Sequence, residues 1–214
     1  MSSARWLKKY SLRHPERDSN KSSDCLRVIG IDPGSRICGY GIIELGTSRN
    51  GRGAYSYVAS GRIELSPRDP FPKRVKETYD ALVDIIRQYK PGQAAIEQVF
   101  FAKSVKAALH LGHARGVSML AATSEGLAIY EYTALEVKKA LVGYGRAEKR
   151  QVQEMVRAIL NLKPVLSPDS ADALALSICH LNSLRFKTCR DDALQSTLIG
   201  KVKVKNSGLQ TGFR

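Results

Sequence analysis

The chain has 214 residues, a formal net charge of +14 and a hydrophobic content of 43%. That is enough for one domain with a proper core and too little for two large ones. No apolar run approaches the roughly 18 residues needed to span a membrane, and no apolar segment follows the basic N-terminus as in a secretory signal. The positive charge points to a polyanionic partner, most often nucleic acid. The two tails carry more than half of the excess, but residues 27–184 are basic on their own. The four cysteines, Cys25, Cys38, Cys179 and Cys189, include no Cys-x-x-Cys pair. Zinc-ribbon spacing is therefore absent, and reduced thiols in a cytoplasmic protein are expected.

Taken in order, residues 1–26 are polar and read as a flexible basic extension. Residues 27–33 form an apolar run, rich in Val and Ile, that stops at Asp32-Pro33-Gly34, the pattern of a buried strand ending in a sharp turn. Ile37 to Leu45 and Ala54 to Leu65 follow as strands, and three strands at short spacing predict an antiparallel meander. Val75, Tyr79, Leu82, Val83 and Ile86 recur at helical spacing within Phe71 to Tyr89, and Pro91-Gly92 ends that element. Gln93 to Phe100 reads as a fourth strand, Ser104 to Ala122 as an Ala- and Gly-rich helix, and Gly126 to Tyr132 as a fifth strand. Helices are expected over Ala134 to Val142, Glu148 to Leu160 and Asp169 to Leu184, with a loop at Pro164 to Pro168 and a basic, flexible tail over 185–214. The order predicts an α/β domain over 27–184, with a mixed five-stranded sheet and helices on both faces.

Four carboxylates sit where burial should exclude them. Asp32 ends the first strand, Glu97 interrupts Ala94-Ala95-Ile96, and Asp169 and Asp172 lie three apart on one face of the last helix. Each has a plainer reading. Asp-Pro-Gly is ordinary turn chemistry. Ser167 can cap the last helix, Pro168 suits its first position, and an acid such as Asp169 complements the first turn. An edge strand could expose Glu97. Asp172, in an Ala/Leu face, has the weakest such reading, because an unpaired acid there is expensive. Divalent metal would satisfy all four at once. Oxygen-only ligands suit Mg²⁺, with Mn²⁺ able to substitute, and not zinc. Two ions about 3.5–4 Å apart could clamp both oxygens of an in-line phosphoryl displacement. A basic surface around an acidic pocket is the charge layout of a nuclease.

Ile29-Gly30-Ile31-Asp32-Pro33-Gly34-Ser35, Gly39-Tyr40-Gly41, Ala95 to Phe100, Ala114-Arg115-Gly116, Val142 to Gly145 with Ala147-Glu148-Lys149, and Asp169 to Ala175 together resemble the RuvC family of bacterial Holliday junction resolvases. The match runs in order from about 27 to 184. It implies a ribonuclease H-like fold, a homodimer and a Mg²⁺-dependent endonuclease with two ions per site. Such an enzyme cuts two strands of like polarity symmetrically at a four-way junction in recombination and repair. RuvA and RuvB, the branch-migration proteins, are implied as partners. Carried over by motif, the catalytic and metal-binding acids are Asp32, Glu97, Asp169 and Asp172. Phe100 matches an aromatic at the crossover and could stack on an unpaired base for roughly 1–3 kcal/mol; core packing is its alternative. Lys138 and Lys149 match lysines that face DNA, against the usual fate of a lone Lys on a solvated surface.

Ser104 and His113 depart from the family pattern, which more often has Asn and Gln there. His110 and His113 share a helix face and are expected as polar or interface residues, because no third metal ligand is within reach by sequence. Gly112 and Gly116 mark the same helix as the expected dimer face. Three other functions compete: a ribonuclease H-like nuclease for other branched or single-stranded nucleic acid, a non-catalytic junction-binding module, and an actin-like or sugar-kinase ATPase. The last would use Ser35 in a phosphate loop, but the chain lacks the second Asp-Gly phosphate motif it needs.

Overall fold

The first strand occupies the middle of everything else. The computed structural model describes residues 25–46, 54–98, 104–163 and 166–186. In it, β1 (Leu26–Asp32) pairs antiparallel with β2 (Ile37–Leu45) on one side and parallel with β4 (Gln93–Gln98) on the other. The outer strands are β3 (Tyr55–Glu64), antiparallel to β2, and β5 (Ala128–Thr133), parallel to β4. The resulting order, β3-β2-β1-β4-β5, is the mixed five-stranded sheet expected from the sequence. Glu97 accordingly lies on an inner strand, and its edge-strand reading fails.

Strand alternation sends successive side chains to opposite faces. Ile29 and Ile31 of β1 join Cys38, Ile42, Ala94 and Ile96 under α1 (Phe71–Tyr89) and α2 (Val105–Ser124). Val28, Ile43 and Ala95 join the other core, against α3 (Ala134–Val142), α4 (Lys149–Ile159) and a last helix, α5, over 168–186. That second face is also the one to which Gly30, Asp32, Gly39, Gly41 and Glu97 belong by parity.

The glycines of that face explain how α5 sits. A methyl group on Gly30 would stand 1.9 Å from the Ala173 carbonyl oxygen, one on Gly39 2.3 Å from that of Asp169, and one on Gly41 2.6 Å from the Leu174 amide nitrogen. Gly30 pairs with Gly41, and Asp32 with Gly39. The three positions form a bare track on which the helix backbone rests. The Gly39-Tyr40-Gly41 motif is therefore a packing device. The far half of α5 is held by His180, fully buried, whose Nε2 lies 2.7 Å from Gln93 Oε1 on β4. Its Nδ1 lies 2.7 Å from the Tyr132 hydroxyl on β5.

Several boundaries differ from expectation, for local reasons. Ser104 is the N-cap of α2, its hydroxyl accepting from the Ala107 amide, so the helix proper starts at Val105. Gly126, at φ +76°, turns the chain after α2 and delays β5 to Ala128. Thr133 ends β5 and caps α3 through a reciprocal bond with Glu136. Ser167 caps α5 as expected, accepting from the Ser170 amide, and the helix begins at 168 and runs past Leu184 to 186. The expected continuation of β4 to Phe100 lies outside the described residues, as do 1–24 and 187–214 of the two tails. Cys38 and Cys179 are buried in the core as free thiols.

Candidate active site

The acids come from four places on one side of the sheet. Ile31 pairs with Ile96 across the parallel β1–β4 ladder, so Asp32 and Glu97 are the next residues along two adjacent strands, at the same end and on the same face. The Gly39 track seats the first turn of α5 beside Asp32, which delivers Asp169. Asp172 follows three residues later on the same helix face. Asp32, Glu97 and Asp172 line a cleft of about 220 Å³, walled by Val137 and Val152 and flanked by Lys138 of α3 and Lys149 of α4. Asp169 does not line this cleft, though its charge acts on Asp32.

Electrostatics confirm that the acids share one environment. Burial pushes the Asp32 carboxyl up to about 7, with Glu97, Asp172 and Asp169 adding in that order and Lys149 opposing. Burial also raises Glu97, helped by the charge of Asp172 and offset by a hydrogen bond with Asp32. Burial and the neighbouring acids thus both favour the protonated form of Asp32 over its carboxylate. Asp172 has a different partner: Lys149 Nζ lies 2.5 Å from its Oδ2. Burial works against the Lys149 ammonium, but the bond and charge of Asp172, with Asp32 and Asp169 behind, raise it above its ordinary range. The sequence offered no cation near these acids by contiguity. Folding brings Lys149 to Asp172 from the start of another helix.

The donor set fits a hard divalent cation, since it offers only carboxylate oxygens. As the side chains stand, no three His, Cys, Asp or Glu groups among the described residues converge to enclose an ion. The reason is visible in the pairings. Asp32 and Glu97 are in hydrogen-bond contact and Lys149 is paired with Asp172, so a bound cation would compete with both contacts.

The turn after Asp32 is fixed from outside the cleft. Arg74 Nη1 donates to the Ser35 carbonyl at 2.7 Å, and the Leu65 amide donates to Arg36 O at 2.9 Å. His110 stacks on Phe71 at 4.4 Å between ring centroids and His113 meets the same ring edge-on at 5.5 Å. Both contacts pack α2 against the start of α1. Phe100 lies outside the described residues.

Comparison with known proteins accounts for this arrangement. The family described as "Crossover junction endodeoxyribonuclease RuvC" matches residues 28–180. The chain belongs to that family. Curated RuvC relatives from Magnetococcus marinus and Geobacter sulfurreducens are 47% and 46% identical to it. They cover 75% and 76% of this chain and 87% and 96% of their own lengths. Thermus thermophilus RuvC bound to a Holliday junction substrate superposes with a TM-score of 0.70 at 32% identity, covering 76% of this chain and 97% of that one. Yeast mitochondrial Ydc2, a Holliday junction resolvase, shares the fold with a TM-score of 0.58 at 11% identity, covering 79% and 86%. The fold is ribonuclease H-like, and the chain is a crossover junction endodeoxyribonuclease of a metal-dependent nuclease family. No described helix is long and apolar enough to cross a membrane.

Two contacts beside the acids were not foreseen from the sequence. One is the pairing of Lys149 with Asp172, which only the tertiary structure creates. The other is made by Arg115, legible as part of the Ala-Arg-Gly motif, whose guanidinium reaches the Glu97 carbonyl.

Proposed function

We propose that this RuvC-family chain resolves four-way DNA junctions with Asp32, Glu97, Asp169 and Asp172 as its catalytic, metal-binding acids and Mg²⁺ as its cofactor, two ions per site. The observation that supports this reading is the coupling of all four carboxylates around one end of β1, beside a cleft flanked by two lysines. When bound, the cation supplies positive charge against the scissile phosphate and acidifies the attacking water. The chain's own residues do the rest. Asp32 and Glu97, on adjacent strands, hold their carboxylates in fixed register. Asp172, now paired with Lys149, would help hold the cation, and Lys149 would then be free to face a phosphate oxygen at the N-terminus of α4. Lys138 lines the same wall and meets the DNA backbone. In-line attack leaves a 5′-phosphate and a 3′-hydroxyl, and Phe100 stacks on a base at the crossover. The domain that does this spans 27–184, and the basic segments 1–26 and 185–214 add salt-sensitive backbone affinity.

Symmetric cutting of two strands of like polarity requires two active sites, hence a homodimer. The supporting feature is the outer face of α2. Val105, Leu109, Gly112, Gly116 and Leu120 follow one another at helical spacing. The three large side chains are 80%, 58% and 58% exposed, and among the described residues nothing lies within 4 Å of a methyl placed on either glycine. A second copy fits this face, and Leu109→Asp should shift the protein to monomer in sedimentation. RuvA and RuvB are the expected partners in the cytoplasm.

The deciding experiment offers a synthetic four-way junction and a linear duplex of the same sequence, each with Mg²⁺ or EDTA. Paired nicks in the junction with Mg²⁺ alone are expected. Equal cutting of both substrates would refute junction selectivity and favour a general ribonuclease H-like nuclease.

A further inference from the structure

We infer that Arg115 is a positioning residue for Glu97, clamping the end of β4 from the face of the sheet opposite the cleft. The inference rests on Glu97 being a metal ligand. Arg115 lies on α2 and makes two contacts at once. Its Nε donates to the Glu97 main-chain carbonyl at 3.3 Å, and its Nη2 makes a close ion pair with Glu131 on β5. Both partners belong to the ends of neighbouring strands. Ile96 pairs with Glu131, and Glu97 with Tyr132. By strand alternation Glu131 points to the α2 side and the Glu97 side chain to the cleft side. The guanidinium therefore spans the two strand ends at the level where the catalytic side chain leaves the other face.

A plain surface pair would contribute little, commonly 0–1 kcal/mol. Arg115 differs in two ways. The pair is only partly exposed, at 26% and 34% for the two side chains. The second contact goes to the backbone of Glu97, one of the four acids. Backbone placement is what a carboxylate on a short strand end inherits directly. Lys could keep the charge pair but has no planar fork with which to serve both acceptors in fixed geometry. Misplacement by about 1 Å can cost on the order of 100-fold in rate when metal or substrate must be held in register.

The test uses the full-length protein, a synthetic four-way junction, and Mg²⁺ or Ca²⁺. Arg115→Lys and Glu131→Gln should each leave junction affinity in Ca²⁺ within about twofold of wild type. Each should slow single-turnover cleavage at saturating junction by about tenfold. Each should also move the Mg²⁺ midpoint for cleavage to several-fold higher concentration, so that excess Mg²⁺ recovers part of the rate. Glu131→Gln keeps the question answerable if an Arg115 variant fails to fold. An unchanged Mg²⁺ midpoint overturns the inference, whether the rate is also unchanged or falls together with affinity and melting temperature as for a merely structural residue. Glu97→Gln is the separate control. Retained cleavage there would strike down Glu97 as a ligand, whereas a null result in Arg115→Lys with Glu97→Gln inactive would strike down the clamp alone.

Discussion

The two faces of the sheet are built on opposite rules. Under α1 and α2 the strands offer bulk: Ile29, Ile31, Ile42 and Ile96 are fully buried and fill the space between sheet and helices. Under α5 the same strands offer almost nothing at their centre, because Gly30, Gly39 and Gly41 let the helix backbone touch them. Bulk on one face anchors the strands. Bareness on the other brings Asp169 and Asp172 within electrostatic reach of Asp32 and Glu97. The placement of the four acids depends on side chains that are missing as much as on those present.

The largest expected break falls on the chemistry of the bare face. Asp169→Asn removes the acid that does not line the cleft, and cleavage should still fall by about 100-fold or more, as for loss of one charge-stabilising group in other active sites. Cleavage within a fewfold of wild type would confine the machinery to the other three acids. Next, Gly30→Ala forces a methyl into the Ala173 carbonyl and should lower stability by about 3 kcal/mol in denaturant unfolding. Gly116→Ala on the open face of α2 is the matched contrast. It meets nothing among the described residues, so the monomer should gain up to about 1 kcal/mol from helix propensity while dimer association weakens. A similar loss at both positions would erase the distinction between the faces.

Asp32 adds a pH signature in metal-free protein. Its carboxyl sits near 7 in the folded chain against an ordinary value of 3.8. The folded state thus keeps a proton that the unfolded chain gives up between these values. The contribution to stability is complete below about pH 4 and disappears as pH rises through 7. Unfolding in EDTA should show wild type less stable at pH 8 than at pH 5 by about 2 kcal/mol from this group. The difference should shrink in Asp32→Asn. A wild-type profile that rises across that window would contradict the raised Asp32 carboxyl. The smallest effect is expected at Lys138→Ala, which should weaken junction binding modestly and flatten its salt dependence by about one phosphate contact.

Much of this was legible before folding. Asp32 and Glu97 stood out because period-2 strands made them the charged exceptions in apolar runs, and Asp169 and Asp172 because they share a helix face. The mixed five-stranded sheet was legible from a meander of strands followed by strand–helix alternation, though not the order of its strands. What the sequence hid is tertiary. Nothing local links Lys149 to Asp172 or Arg115 to the Glu97 carbonyl, since neither pair shares an element. The Gly-Tyr-Gly motif was visible as a pattern, but its reason, a helix lying on bare backbone, required the packing of α5. Boundaries slipped where a cap or a left-handed glycine intervened, at Ser104 and Gly126.

The account stands most directly on Asp172→Asn. The substitution preserves shape, removes one carboxylate from the cleft and dissolves the pair with Lys149. Measured on a synthetic four-way junction, the variant should bind as tightly as wild type, or slightly tighter as Lys149 is freed, and should not cut at any Mg²⁺ concentration. Full cleavage by Asp172→Asn would contradict the four-acid centre.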